Sequence, residues 1–207
     1  MEMKAPFDVS SIDQKIQQFE ETTGYELIVV GSDASDPYPG AAWRGGVLLG
    51  LLVAGVIFHF YEIHPHSLEI LITGIIVGAF VWGLRASCLH RYFVTPSEAH
   101  RETSEKAAEL FSRFQSQNLG HQASILLFFS MQEHKIHLLV DSELKDKLPQ
   151  ADLDETVALM AGHFKQKNYE VGVGESVTTL QTKVLAKAGK RISRAADHVA
   201  NKVFWFN

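Results

Sequence analysis

GGVLLGLLVAGVIFHFYEIHPHSLEILITGIIVGAFVWGL, residues 45–84, is the stretch that decides how this chain is organised. Between Arg44 and Arg85 the only charges are Glu62 and Glu69, which is too long an apolar run for a buried core strand. It reads as two membrane spans and a short turn. The first run is Gly45 to Tyr61 and the second Ile70 to Leu84, each about 17 to 20 residues with its flanks. The connecting EIHPHSLE contains no Lys or Arg, whereas Arg44, Arg85 and Arg91 flank the hairpin on the other side. By the positive-inside rule both termini lie in the cytoplasm, as in a multi-pass protein of a bacterial inner membrane. Trp43, Tyr61, Trp82 and Tyr92 fall near the run ends, where amphipathic rings prefer the headgroup level. A buried hairpin of a soluble protein is the competing reading. A cleaved leader is disfavoured, because the apolar stretch follows some forty polar or amphipathic residues.

Within the runs, Gly46, Gly50 and Ala54 recur at four-residue spacing, as do Gly74 and Gly78. Small residues at that spacing let helix backbones approach closely, either within the hairpin or between copies of the chain.

Outside the hairpin about 160 residues remain, enough for one domain interrupted by it but not for two. Residues 1–42 form its first part, 43–86 the hairpin, 87–175 the second part and 176–207 a basic amphipathic C-terminal helix. In the first part Ile12, Ile16 and Phe19 recur at helical spacing behind Asp8 and Ser10, and Gly24 ends the helix. YELIVV, residues 25–30, is a strand leading into the turn-rich GSDASDPYPG. In the second part Thr95, Pro96 and Glu98 open a helix with an S/T-x-x-E capping box. Residues 123–129 and 135–140 are strands joined by SMQEH, residues 152–167 a helix, and the glycines of YEVGVGES break the chain before a helix from Ser176. The order predicts a small mixed-sheet α/β sandwich interrupted by a two-helix transmembrane hairpin.

The net charge of −5 opposes nucleic-acid binding, and the single Cys88 excludes a disulfide framework or Cys-rich zinc site. Asp33, Asp36, Glu133 and Asp141 fall at predicted strand ends, where converging oxygens suit Ca²⁺ or Mg²⁺, although Asp in turns more often caps backbone N–H groups. His134 and His137 are expected on opposite faces of one strand, and His64 with His66 makes an incomplete metal set. No nucleophile–base pair or phosphate-binding loop is visible, so an enzyme is disfavoured and no catalytic residue is assigned. At the C-terminus Lys183, Lys187, Lys190, Arg191, Arg194 and Lys202 oppose one acid, Asp197, and the chain closes on Phe204, Trp205 and Phe206. That pattern predicts a tail lying on the anionic leaflet with Trp205 at the interface, or packed on the domain or a second copy.

Two segments together resemble the TPM domain, the fold of thylakoid-lumen phosphatase-like and photosystem-repair proteins. They are IDQKIQQFEETTGYELIVVGSDASDPYP, which runs through T-G-x-E into a strand, and ASILLFFSMQEHKIHLLVD, where an S-x-x-E-H turn joins two strands. The inserted hairpin is similar to the bacterial membrane subgroup. The chain departs from that pattern in lacking tryptophan in the helix at 151–163 and in ending AGKRISRAADHVANKVFWFN. The resemblance implies a βαβ-type core and, for some members, phosphatase activity or metal binding by acidic residues. Three functions follow: membrane assembly as a homo-oligomer or with an unidentified protein partner, a divalent-metal-dependent phosphatase, and an oligomeric passage.

Overall fold

The computed structural model describes residues 7–60, 66–116, 123–191 and 202–206. Among these the chain forms seven α-helices and one four-stranded mixed sheet, and divides into two units: Met1–Ser35 with His100–Asn207, and Asp36–Ala99.

The first unit begins with α1 (Ser10–Thr23), opened by Asp8, whose Oδ1 accepts the Ser10 N–H at 3.0 Å. Gly24 closes it at φ 75°, donating its N–H to Glu20 O at 2.8 Å. A side chain there would also meet the carbonyl oxygen of Arg191 at 2.0 Å, so both conformation and space require glycine. β1 (Glu26–Ser32) follows, and β2 (Ser124–Ser130) lies parallel to it with Glu26 opposite Ser124. Both strands are buried along their whole length, as apolar runs in the middle of a sheet must be. β3 (Lys135–Val140) returns antiparallel to β2 through a turn in which His134 takes φ 53°. β4 (Val203–Phe206) pairs parallel to β1 on its other side, giving the order β3-β2-β1-β4.

The sheet separates two apolar layers. On one face α1, α5 (Ser142–Lys145), α6 (Gln150–Lys165) and α7 (Tyr169–Lys187) bury Ile12, Ile16, Phe19, Leu153, Met160, Val173, Val177 and Leu180 against Leu27, Val29, Ile125, Leu127 and Phe129. On the other, Ala107, Leu110 and Phe114 of α4 (Pro96–Phe114) cover Ile28, Val30, Leu126 and Phe128. Alternate residues of each strand thus serve opposite layers, the period-two rule of a sheet covered on both faces.

Two expectations at the C-terminal end are corrected. The glycines of YEVGVGES do not break the chain: Gly172 and Gly174 lie inside α7, and at Gly172 a Cβ would meet the His163 Cβ at 2.8 Å, so close packing selects glycine at that position. Nor do residues 176–207 form one helix, since α7 ends at Lys187, Gly189 takes φ 73°, and 203–206 are a strand. Alternating burial of Phe204, Trp205 and Phe206 on the sheet outweighs the helical reading. His134 lies in the turn before β3 rather than in the strand.

The second unit contains α2 (Pro39–Phe60), α3 (His66–Ala86) and a short 3-10 turn at Cys88–Phe93. At 1.5 Å per residue the helices are about 31 to 33 Å long, close to the thickness of a bilayer's hydrocarbon core. They are long and apolar enough to cross a membrane by length and composition. Gly46 and Gly50 of α2 press on Val81 and Val77 of α3, where a Cβ would come within 2.6 Å of each valine's Cα, and Ala54 is buried further along α2. Gly74 and Gly78 do not share in this contact: nothing lies within 4 Å of where their side chains would be. The α3 half of the small-residue expectation is therefore not part of the hairpin's packing.

Candidate functional site

The carboxyl ends of β1, β2 and β4 lie at one end of the sheet, the position where parallel sheets present residues to ligands. Asp33 follows β1 there, and Glu133 sits in the β2–β3 turn. Gln132 N–H donates to Asp33 O at 2.9 Å and Met131 N–H to Ser32 O at 2.9 Å, knitting the two loops together. Glu133 adds its side chain: Oε1 accepts the Ser35 N–H at 2.9 Å and Oε2 the Ser130 hydroxyl. Asp33 Oδ1 accepts the indole N–H of Trp205 at 3.2 Å.

Asp141 is at the opposite end of the sheet, because β3 runs antiparallel; it caps α5, accepting the Ser142 N–H at 2.6 Å. Asp36 belongs to the second unit and accepts the Tyr38 N–H at 3.0 Å. Each of the four carboxylates thus satisfies a backbone, hydroxyl or indole donor, and Asp141 cannot join Asp33 and Glu133 around one ion. Among the described residues no group of three or more His, Cys, Asp or Glu is placed to hold a metal.

Of the two places expected for Trp205, on the leaflet or packed on the domain, the structure shows the second. Trp205 is 2% exposed in the core, opposite Gly31 in the β1–β4 register, with Phe7 and Phe129 ring centroids 5.9 and 5.8 Å away. It therefore cannot sit in a lipid headgroup layer. Asp13 of α1 holds the start of this strand by accepting the Val203 N–H at 2.9 Å. Burial raises the Asp13 pKa against the lowering effects of that hydrogen bond and of Lys202. The glycine in VVGSD and the aromatic FWF were the only sequence signals for this socket.

The basic face is likewise tied inward. Lys183 Nζ donates to Asp152 O at 2.9 Å and reaches Glu155 at 2.6 Å, while Lys187 meets Asp152 at 3.1 Å. A hydrogen bond from Lys187 holds the Asp152 carboxyl below its usual range against desolvation, helped by the charges of Lys187 and Lys183. Arg191 pairs with Glu143 at 3.3 Å and donates its N–H to Thr23 O. Lys190 remains exposed, whereas Arg194 and Tyr61 lie outside the described residues, as do His64 and Asp197.

On the α4 side, the His137 Nε2 lies 2.9 Å from Thr103 Oγ1, and its ring is 5.7 Å from that of His100. Burial, then the charges of His100 and Lys135, lowers the His137 pKa, so this imidazole is held neutral. The periodicity of EHKIH gave its face but not its partner on a distant helix.

In the second unit Trp43, Trp82 and Tyr92 are exposed, and Arg44, Arg85 and Arg91 belong to the same helix ends, since α2 and α3 run antiparallel. Arg44 pairs with Glu98 and donates to Phe93 O at 3.0 Å, while the guanidinium of Arg91 lies 5.4 Å from the Tyr92 ring centroid.

A comparison with protein families bears on the first unit's core: the TPM domain matches residues 90–183, from the turn before α4 through most of α7. This stretch, just under half of the chain, is similar to the TPM domain. The chain's fold is similar to that of the BA42 protein of the psychrophilic bacterium Bizionia argentinensis, solved by NMR, at 11% identity and a TM-score of 0.55. The likeness covers 98% of this chain and 99% of that one, and at such identity it concerns fold alone. No curated protein matches the sequence. The matched residues supply β2, β3, α4, α5, α6 and most of α7, while α1, β1 and β4 lie outside them.

Proposed function

We propose that this TPM-like domain is anchored by its hairpin in a bacterial inner membrane, with both termini cytoplasmic, and acts there by homo-oligomeric assembly or partner binding. The observation that carries the reading is the apolar outer surface of the hairpin: Ile70 is 76% exposed, Trp82 75% and Phe60 75%, with Leu48, Leu52 and Ile75 also turned outward. A core helix of a soluble protein buries such residues, and an exposed apolar surface of this kind marks a membrane or protein contact. A bilayer covers it directly, with the Arg and Trp residues at one end of the hairpin in the position of an interfacial anchor. Gly74 and Gly78 leave an open track on α3 along which a second copy's helix can approach.

The cation-dependent phosphatase is the weaker reading, because Asp33 and Glu133 alone supply fewer oxygens than Ca²⁺ or Mg²⁺ takes. The anchoring claim is tested by washing membranes from expressing cells at alkaline pH. The chain is expected in the pellet, and an Ile75→Lys, Leu52→Lys double variant is expected in the supernatant or degraded. Release of the unaltered chain would overturn the reading.

A further inference from the structure

β3 is an edge strand: among the described residues it pairs with β2 alone. Its outward-facing groups follow from one hydrogen bond. Asp141 N–H donates to Ser124 O at 3.0 Å, which fixes Asp141 and Ser124 as a hydrogen-bonded pair. In an antiparallel ladder such pairs alternate, so Leu139, His137 and Lys135 bond to β2, and Ile136, Leu138 and Val140 turn their N–H and C=O groups to the outside. Three of these consecutive residues, Leu138, Leu139 and Val140, line one cavity of about 360 Å³. Because their side chains alternate between faces, a cavity touching all three runs along the backbone edge itself. Its other wall is Leu148, Pro149 and Leu153, from the α5–α6 connection and the first turns of α6.

We propose that this groove binds the C-terminal end of an extended apolar peptide, which adds to β3 as a fifth strand, sinks an aliphatic side chain beside Leu148 and Leu153, and sets its terminal carboxylate by Lys145. Charge selects this occupant. Lys145 is the one charged residue among those lining the groove, no acid lines it, and Lys145 makes no ion pair among the described residues. Its neighbour Lys147, by contrast, is engaged by Glu143 at 3.4 Å. Main-chain bonding to an edge gives affinity without regard to sequence, while the apolar cavity and a lone cation select an aliphatic residue and a free carboxylate. The proposal rests on the reading of the domain as a partner-binding module and names the partner's chemistry.

The test presents the full-length protein in nanodiscs to a library of random hexapeptides displayed with free C-termini, alongside the same library whose C-termini are extended by a Gly-Ser tail. Enrichment of aliphatic residues at the free terminus is expected, with none in the extended library. Lys145→Glu is expected to weaken the selected peptides about tenfold or more, as a charge-assisted bond predicts. Val140→Pro removes only an outward N–H and is expected to weaken them about fivefold. If Val140→Pro impairs folding, as melting would reveal, Lys145→Glu alone carries the test. Equal selection from both libraries, or none from either, would overturn the proposal. So would a smaller particle mass in Val140→Pro without peptide, which would give the edge to a second copy. Alkaline extraction of the same preparation reports on anchoring separately, so the two readings fail independently.

Discussion

Trp205 lies on Gly31: a Cβ added to that glycine would stand 2.2 Å from the indole Cζ3 and 2.9 Å from the Phe129 ring. The pair is in register between β4 and β1, so the glycine in the middle of the sheet is the space the C-terminal tryptophan fills.

Gly31→Ala should therefore displace the indole and destabilise the domain by about 1 to 3 kcal/mol, the usual cost of overpacking a core. Urea unfolding of the full chain in detergent, followed by tryptophan emission, measures this, with a red-shifted native spectrum expected. Unchanged stability would mean the strand sits elsewhere.

Trp205→Ala should cost about 3 to 5 kcal/mol, as for other buried tryptophans, and leave liposome binding by a hairpin-deleted fragment unchanged if that fragment folds. Vesicle co-sedimentation checks the second half. A loss of lipid binding without loss of stability would restore the interfacial role that burial removes.

His137 gives the domain a pH dependence with a definite sign. Its folded pKa is lowered by burial and by His100 and Lys135. Its contribution is therefore present above the ordinary histidine value of about 6.5 and is lost as pH falls through the window below it, because the unfolded chain takes up the proton first. Urea midpoints measured from pH 8 to pH 5 should fall, and His137→Gln should flatten that fall; an identical slope in the variant would refute the assignment.

The hairpin separates two kinds of glycine. Gly50→Ile should disrupt the α2–α3 contact, where a Cβ already meets Val77 Cα at 2.6 Å, and lower yield of folded protein. Gly78→Ile, with open space around it, should leave the hairpin intact and alter only contacts between copies. Circular dichroism melts in detergent distinguish the pair.

Much of this was legible in the sequence. Helical spacing gave α1, apolar runs bounded by turn residues gave β1, β2 and β3, and charge-free length gave the hairpin, because each depends on local pattern. What was not legible depends on contacts distant in sequence. KVFWFN reads as the end of an amphipathic helix until β1 offers an unpaired edge with Gly31 opposite Trp205. Lys183 and Lys187 read as lipid-facing until α6 brings Asp152 and Glu155 across from them. Asp141 shared a strand-end position with Glu133 in the linear reading, and only the antiparallel return of β3 sets them at opposite ends of the sheet.

The mass of the full-length protein in nanodiscs, by light scattering, tests assembly at the membrane most directly. The account predicts a defined particle holding several 23.1 kDa chains, reduced in Gly78→Ile and unchanged in a Gly55→Ala control. A single 23.1 kDa chain per particle at every protein-to-lipid ratio would contradict it.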